Sequence, residues 1–409
     1  MATQLLKEEP RAVFTHCYSH ALNLAASDMV KNNKFVCNAL DITLEISKLL
    51  KFSLRRDAIF HTLKHELAPD TPGFRTLCPT RWTVRAASLQ SVINNFAVLS
   101  ETWELAMDVV RDSETRARLI GVSTIMKSFD YLFGVFLGLR VLRHTDNLSK
   151  TLQSPSLSAI DAHACAKLTV SNLRGIRNDD SFKLFWPIVL QHQSRLDVLP
   201  AELPRKRRAP ARLAEGAEPF HHPTPEALYR QEFFAVIDLV TNWIEQRFDQ
   251  PGYKSVVMLE KALLSAADGK LPDEEMLESV ITHTCGDVDR TTLGTQLEML
   301  STAMHSSSKP SLRDVRNYLC SLSPDQQHNL SEVCTLLKLI LVSPATNSVS
   351  ERSASALRRV KSYLRSTMSQ ERLNYLLLMH THNIRVDALD LNICLQEFVE
   401  TREHRKDVF

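Results

Sequence analysis

The sequence predicts a mostly α-helical protein, and three observations carry that prediction. Gly is scarce, at 10 of 409 residues, so few tight turns are available to join strands. Leu is abundant, and Leu favours helix. Apolar residues also recur at helical spacing through most of the chain.

Taken in order, the elements begin with a short β-prone run at 12–15 (AVFT), followed by a helix over about 20–31 with Leu22, Leu24, Ala25 and Met29 apolar. Residues 35–67 read as one helix or a pair, carrying Leu40, Leu44, Leu49, Leu50 and Phe60. Pro69, Pro72, Gly73 and Pro79 make 68–79 a loop. Thr80 suits a helix N-cap, and the pattern after it stays helical to about 110. Further helical patterns cover 114–147, 155–173, 225–248 and 253–266. Residues 200–225 are Pro-rich, basic and aperiodic, as in a surface loop or linker. The stretch 268–310 has no clear pattern. A strongly apolar helix is expected at 330–342, ended by Pro344. Ser348 and Glu351 then fit a capping box opening a basic helix, and a second helix is expected over 370–380. No internal repeat is visible.

Charge and cysteine usage bound the function. Lys+Arg number 49 against 47 Asp+Glu, so any contact with nucleic acid must come from local basic patches. The eight cysteines form no Cys-x-x-Cys pair, and the first residues resemble neither a secretory signal nor a transit peptide. Reduced thiols in the nucleus, or otherwise the cytoplasm, are therefore expected. No run of 18 apolar residues occurs, so no membrane partner is expected.

Four segments go further. PATNSVSERSASALRRVKSYLRSTMSQERLNYLLLMHTH near the C-terminus resembles the C-terminal dimerisation region of hAT transposases, particularly the transposase-derived zinc-finger MYM-type proteins and their TTF-type relatives. HCYSHALNL at 16–24 resembles the family's Cys-x-x-His segment, and CPTRW at 78–82 its Thr-Arg-Trp segment. PRKRRAPAR with the helix that follows is similar to the middle of those proteins.

The resemblance implies a remnant of an RNase H-like fold (its last strand and C-terminal helices) interrupted by a large helical insertion domain. The expected divisions are 1–34, 35–325 and 326–399. In the family, two Asp and one Glu hold two divalent metals, Mg or Mn, which activate the nucleophile that attacks a phosphodiester. Glu351 corresponds to that Glu, whereas both Asp would precede the Cys-x-x-His segment, and the 16 residues before Cys17 contain none. One Glu cannot position two divalent ions, so the sequence-based expectation is no enzyme and no productively bound metal.

Each residue also has a plainer reading. Glu351 can be a helix-capping carboxylate. Cys17 and His20, with His16, make a poor structural zinc site and suit packing. Arg81 and Trp82 match residues that touch DNA, the Trp by stacking on a flipped base, yet Trp82 could equally be buried between helices. Arg205, Lys206, Arg207 and Arg208 form a nuclear-localisation or phosphate-contacting run, or a solvated loop. Leu357, Leu373, Leu376 and Leu377 are the candidate dimerisation residues, although such helices commonly pack within their own domain.

The expected function is that of a catalytically incomplete, transposase-derived protein acting as a homodimer. DNA is a possible partner and no small-molecule substrate is expected. Two alternatives stay open: a truncated copy of an active transposase, and a helical scaffold with no nucleic-acid role.

Overall fold

The structure, a computed structural model, describes residues 4, 7–9, 17–77, 84–154, 157–204, 222–304, 309–343, 345–346, 348–361, 367–402 and 405. For 348–352 it describes the backbone alone. The described residues are mostly helical and contain no strand; the β-prone run at 12–15 lies outside them. No described helix is long and apolar enough to cross a membrane. The chain divides into two units, Met1–Thr346 and Asn347–Phe409.

The first unit opens with α1 (Tyr18–Asn32), α2 (Lys34–Lys51), α3 (Leu54–Leu67), α4 (Arg85–Asn94), α5 (Phe96–Val109) and α6 (Ser113–Met126). Then come α7 (Phe129–Leu152), α8 (Ala159–Gly175), α9 (Asp179–Arg195) and α10 (Pro225–Phe248). Its centre is α7, whose sequence is apolar over most of its girth and leaves mainly the stripe of Arg140, Arg143, Asn147 and Lys150 to solvent. The wide apolar face must be buried against neighbours. Tyr131, Phe133, Val135, Leu137, Val141 and Leu142 are all buried, and α1, α2, α4 and α8 pack around them. The Ser128 hydroxyl starts the helix by accepting from the amide of Tyr131 at 3.3 Å.

Gly134 sets how closely α2 can approach α7. A Cβ there would lie 2.3 Å from the carbonyl oxygen of Phe35, an atom of backbone that cannot swing aside. At the corner between α1 and α2, Asn33 accepts from the amide of Val36 and donates to Glu232 of α10, both at 3.0 Å. Arg247 of α10 pairs with Asp28 of α1 at 2.8 Å.

A second core is built by α11 (Pro251–Ala267), α12 (Glu274–Thr284), α13 (Arg290–Met304), α14 (Leu312–Ser321), α15 (Pro324–His328) and α16 (Ser331–Val342). Helix α11 serves both cores: Tyr253 and Val256 face the first, and Leu259 and Leu263 the second. At that changeover Glu260 is fully buried, with a carboxylate oxygen accepting from the amides of Ala159 and Ile160 at 2.7 and 3.2 Å. It thereby caps the N-terminus of α8, where a negative group is favoured. Burial nevertheless holds its carboxyl above the usual range, against the pull of Ser158 and those two amides.

Several expectations need correcting. The pattern from 80 to 110 is two helices, because Asn95 turns its side-chain amide onto the carbonyls of Pro72 and Ser91, at 3.0 and 2.8 Å. The pattern at 114–147 is also two, divided where Ser128 caps α7. Helix α9 was hidden by Pro187, which lies on the exposed face, where the orphaned carbonyl one turn earlier can reach water. The unclear stretch 268–310 contains α12 and α13.

The second unit holds α17 (Ser348–Val360), α18 (Gln370–Thr381), α19 (Asn383–Asp387) and α20 (Leu391–Glu400), with α17 packed on α18.

Replacing Gly134 with Ala should destabilise the protein by about 1–3 kcal/mol, the usual cost of overpacking. Gly121→Ala is the control, since nothing lies within 4 Å of the added methyl; it should be neutral or slightly stabilising. Urea unfolding followed by circular dichroism would compare the two.

Candidate functional site

The first candidate region lies where α1 and the start of α4 meet α7. Leu22, Asn23 and Ala26 come from α1, Arg85 from α4, and Leu142, Thr145, Asp146 and Ser149 from α7. They enclose a cavity of about 10 Å³, at most the space of one water. The Asp146 carboxylate accepts from the amide of Ala86 at 3.1 Å, which anchors the first turn of α4. Burial pushes that carboxyl up to about 6, although the Ala86 amide, Arg85 and Lys150 pull the other way. Burial likewise lowers the Arg85 guanidinium to about 10, with Asp146 opposing. Both shifts have one origin: the pair has been drawn out of water.

One of the segments singled out in the sequence contributes here: the described residues of 16–24 lie at the start of α1, whereas 78–82 fall outside the described residues. Cys17 is the N-cap residue of α1, its carbonyl accepting from the amide of Ala21 at 2.9 Å, and His20 is exposed. Tyr18, between them, is the buried member of the segment. Its ring stacks on Tyr253 at 4.2 Å and tilts against Phe248 at 5.4 Å. No catalytic pattern flags Tyr18; only its place one position into a helix that buries its apolar face does. Arg81 and Trp82 lie outside the described residues, as do His16 and the basic run Arg205, Lys206, Arg207 and Arg208.

The second candidate region is the C-terminal unit. The backbone of Glu351 lies in the first turn of α17, and its side chain is outside the described residues, so the capping box is not among the described contacts. Among the described residues no three His, Cys, Asp or Glu come together to hold a metal.

In this unit the described apolar residues are mostly uncovered. Leu373 and Ala356 are buried, Leu376 and Leu377 are half-buried, and Leu357 is exposed. Two helix faces carry larger apolar stripes. Tyr375, Leu378 and Met379 line one side of α18, and Leu391, Leu395 and Phe398 one side of α20. Both follow the spacing that puts side chains on a single face. Leu378 is 60% exposed and Leu391 77%, so neither stripe is covered by the described residues of its own unit. Exposed apolar stripes of this kind suit an interaction site.

The region has a known counterpart. Residues 304–384 match the hAT family C-terminal dimerisation region. The chain thus carries the region that its sequence resembles, starting earlier than the expected 326 and crossing the division between the two units. Along its whole length the chain is 22% identical to a mouse protein named 52 kDa repressor of the inhibitor of the protein kinase, of which the alignment covers 54%. It is also 22% identical, over 98% of its length, to the human protein of the same name, covering 53% of that protein. The chain spans about half the length of these curated relatives. No solved structure matches it.

Asp146 gives the first region a pH signature. In the unfolded chain its carboxyl titrates near 3.8, and in the fold near 6. The native state holds the extra proton between those values, so its contribution to stability falls as pH rises from about 4 to about 6. In Asp146→Asn that fall should shrink by up to about 2–3 kcal/mol, since each tenfold difference in proton affinity is worth about 1.4 kcal/mol. Urea midpoints at several pH values would measure it, and identical slopes in the two proteins would refute the assignment.

Proposed function

We propose that the chain acts through self-association of its C-terminal unit, as a non-enzymatic, transposase-derived regulatory protein of the nucleus. The uncovered apolar stripes of α18 and α20 carry this reading. Left in water, apolar stripes of this kind lack the burial that stabilises a helix face. Covering the stripes with a second copy supplies the missing burial, at about 25 cal/mol per Å² of apolar surface removed from water. The match to a dimerisation region names that same kind of partner. The relatives' name, a repressor, supports a regulatory rather than catalytic role.

On this reading the chain is organised as a Cys-x-x-His segment (1–34), a helical body (35–325) and a dimerising end (326–399). Nucleic acid is held by the basic run 205–208 and by Arg81 and Trp82. A paired protein presents two such sets of cations at once, which multiplies a weak phosphate affinity. Cys17 and His20 serve packing or local hydrogen bonding at the start of α1, and Glu351 serves the start of its helix.

Light scattering after size exclusion should give a dimer mass at micromolar concentration. Leu378→Glu combined with Leu395→Glu should shift it to a monomer with unchanged helical content; equal masses for the two proteins would sink the reading. In a gel shift with duplex DNA, replacing Arg205, Lys206, Arg207 and Arg208 by Ala should weaken binding and flatten its dependence on salt. The unaltered protein should also leave supercoiled DNA uncut in the presence of Mg or Mn.

A further inference from the structure

A cavity of about 360 Å³ opens within the C-terminal unit, between α17 and the junction of α18 with α19. That volume falls in the range of small-ligand sites. Ser353, Ser355 and Arg359 face it from α17, and His380, Thr381 and Asn383 from the other side. Ala356 completes the lining, and every other side chain in it can donate a hydrogen bond. No carboxylate lines the cavity among the described residues, and there Arg359 makes no ion pair. The surrounding sequence is basic as well: residues 348–385 hold seven Lys or Arg and two Glu.

We propose that this cavity binds a phosphate monoester, with Arg359 as its principal anchor. Hydroxyl, amide and imidazole donors gathered around one guanidinium suit an oxyanion and suit little else. The placement of donors on both sides of this half-open cavity favours the monoester. Its terminal phosphate carries nearly two charges and three free oxygens, which donors on opposite walls can reach together. A backbone phosphodiester offers one charge and two free oxygens and is better met by a flat run of cations. Helix α18 turns its C-terminal end toward the cavity, and that end carries roughly half a negative charge. The guanidinium's full charge outweighs it. A phosphorylated side chain of a partner protein and a small phosphorylated metabolite present this same group. The site lies within one copy, so it goes beyond the self-association proposed above and stands independently of it.

The test titrates the full-length chain with inorganic phosphate, free phosphoserine, a phosphoserine peptide and its unphosphorylated form, and a duplex DNA, by isothermal calorimetry. Phosphoserine and the phosphopeptide are expected to bind, the unphosphorylated peptide not. Tighter binding of the phosphopeptide than of phosphoserine assigns the group to a protein partner; equal binding assigns it to a small molecule. Arg359→Gln should weaken binding at least tenfold, whereas Arg358→Gln, whose side chain does not line the cavity, should change it less than twofold. Should Arg359→Gln misfold by circular dichroism, Thr381→Val replaces it, with a several-fold loss expected. Equal losses from the Arg358 and Arg359 changes, tighter binding to the duplex than to any monoester, or no monoester binding at millimolar concentration would overturn the proposal. The Leu378→Glu, Leu395→Glu protein should still bind, which separates this result from that of the mass measurement.

Discussion

The architecture of the first unit depends on a single long helix that meets solvent mainly along one narrow stripe. Apart from Arg140, Arg143, Asn147 and Lys150 on that stripe, the middle of α7 is largely buried, so its neighbours must come to it, and Gly134 permits α2 to come within backbone distance. A helix buried in this way fixes its surroundings through close packing, and such interiors tolerate little change in volume. The position of α1 follows from it, and so does that of α4. The meeting of Asn23, Arg85 and Asp146 is thus a product of core packing before it is anything else.

Glu260 plays the corresponding part between the two cores of that unit. A buried carboxylate is costly unless its oxygens are satisfied. Here amides of the first core satisfy an oxygen carried by a helix of the second. Removing the carboxylate would leave those two amides without partners in a dry environment. The contact therefore specifies how α8 and α11 meet, in addition to any stability it adds.

Much of the helical order could be read from the sequence. Helices α10, α11, α16 and α18 carry strong apolar periodicity, and their ends fall within a few residues of expectation. The errors had physical causes. Asn95 and Ser128 end or begin helices through side-chain hydrogen bonds that a hydropathy pattern does not register. Pro187 looks like a breaker and is tolerated because it faces water. The importance of Gly134, Glu260 and Asp146 was invisible, since each depends on a partner distant in the chain. At the C-terminus the sequence indicated the right segment. Of the named leucines, Leu373 is packed within the unit, Leu376 and Leu377 are half-buried and Leu357 is exposed; Tyr375, Leu378, Met379 and the residues of α20 add further exposed apolar surface that was not named.

The uncovered stripes on α18 and α20 also carry a consequence for control. On the self-association proposed above, pairing obeys mass action, so the fraction of paired molecules would rise with the amount of protein made. Abundance then acts as the input: synthesis and turnover would set the active fraction directly, with no dedicated effector. The same greasy helices would leave surplus unpaired copies exposed to chaperones and proteases, trimming the pool back toward what can be matched.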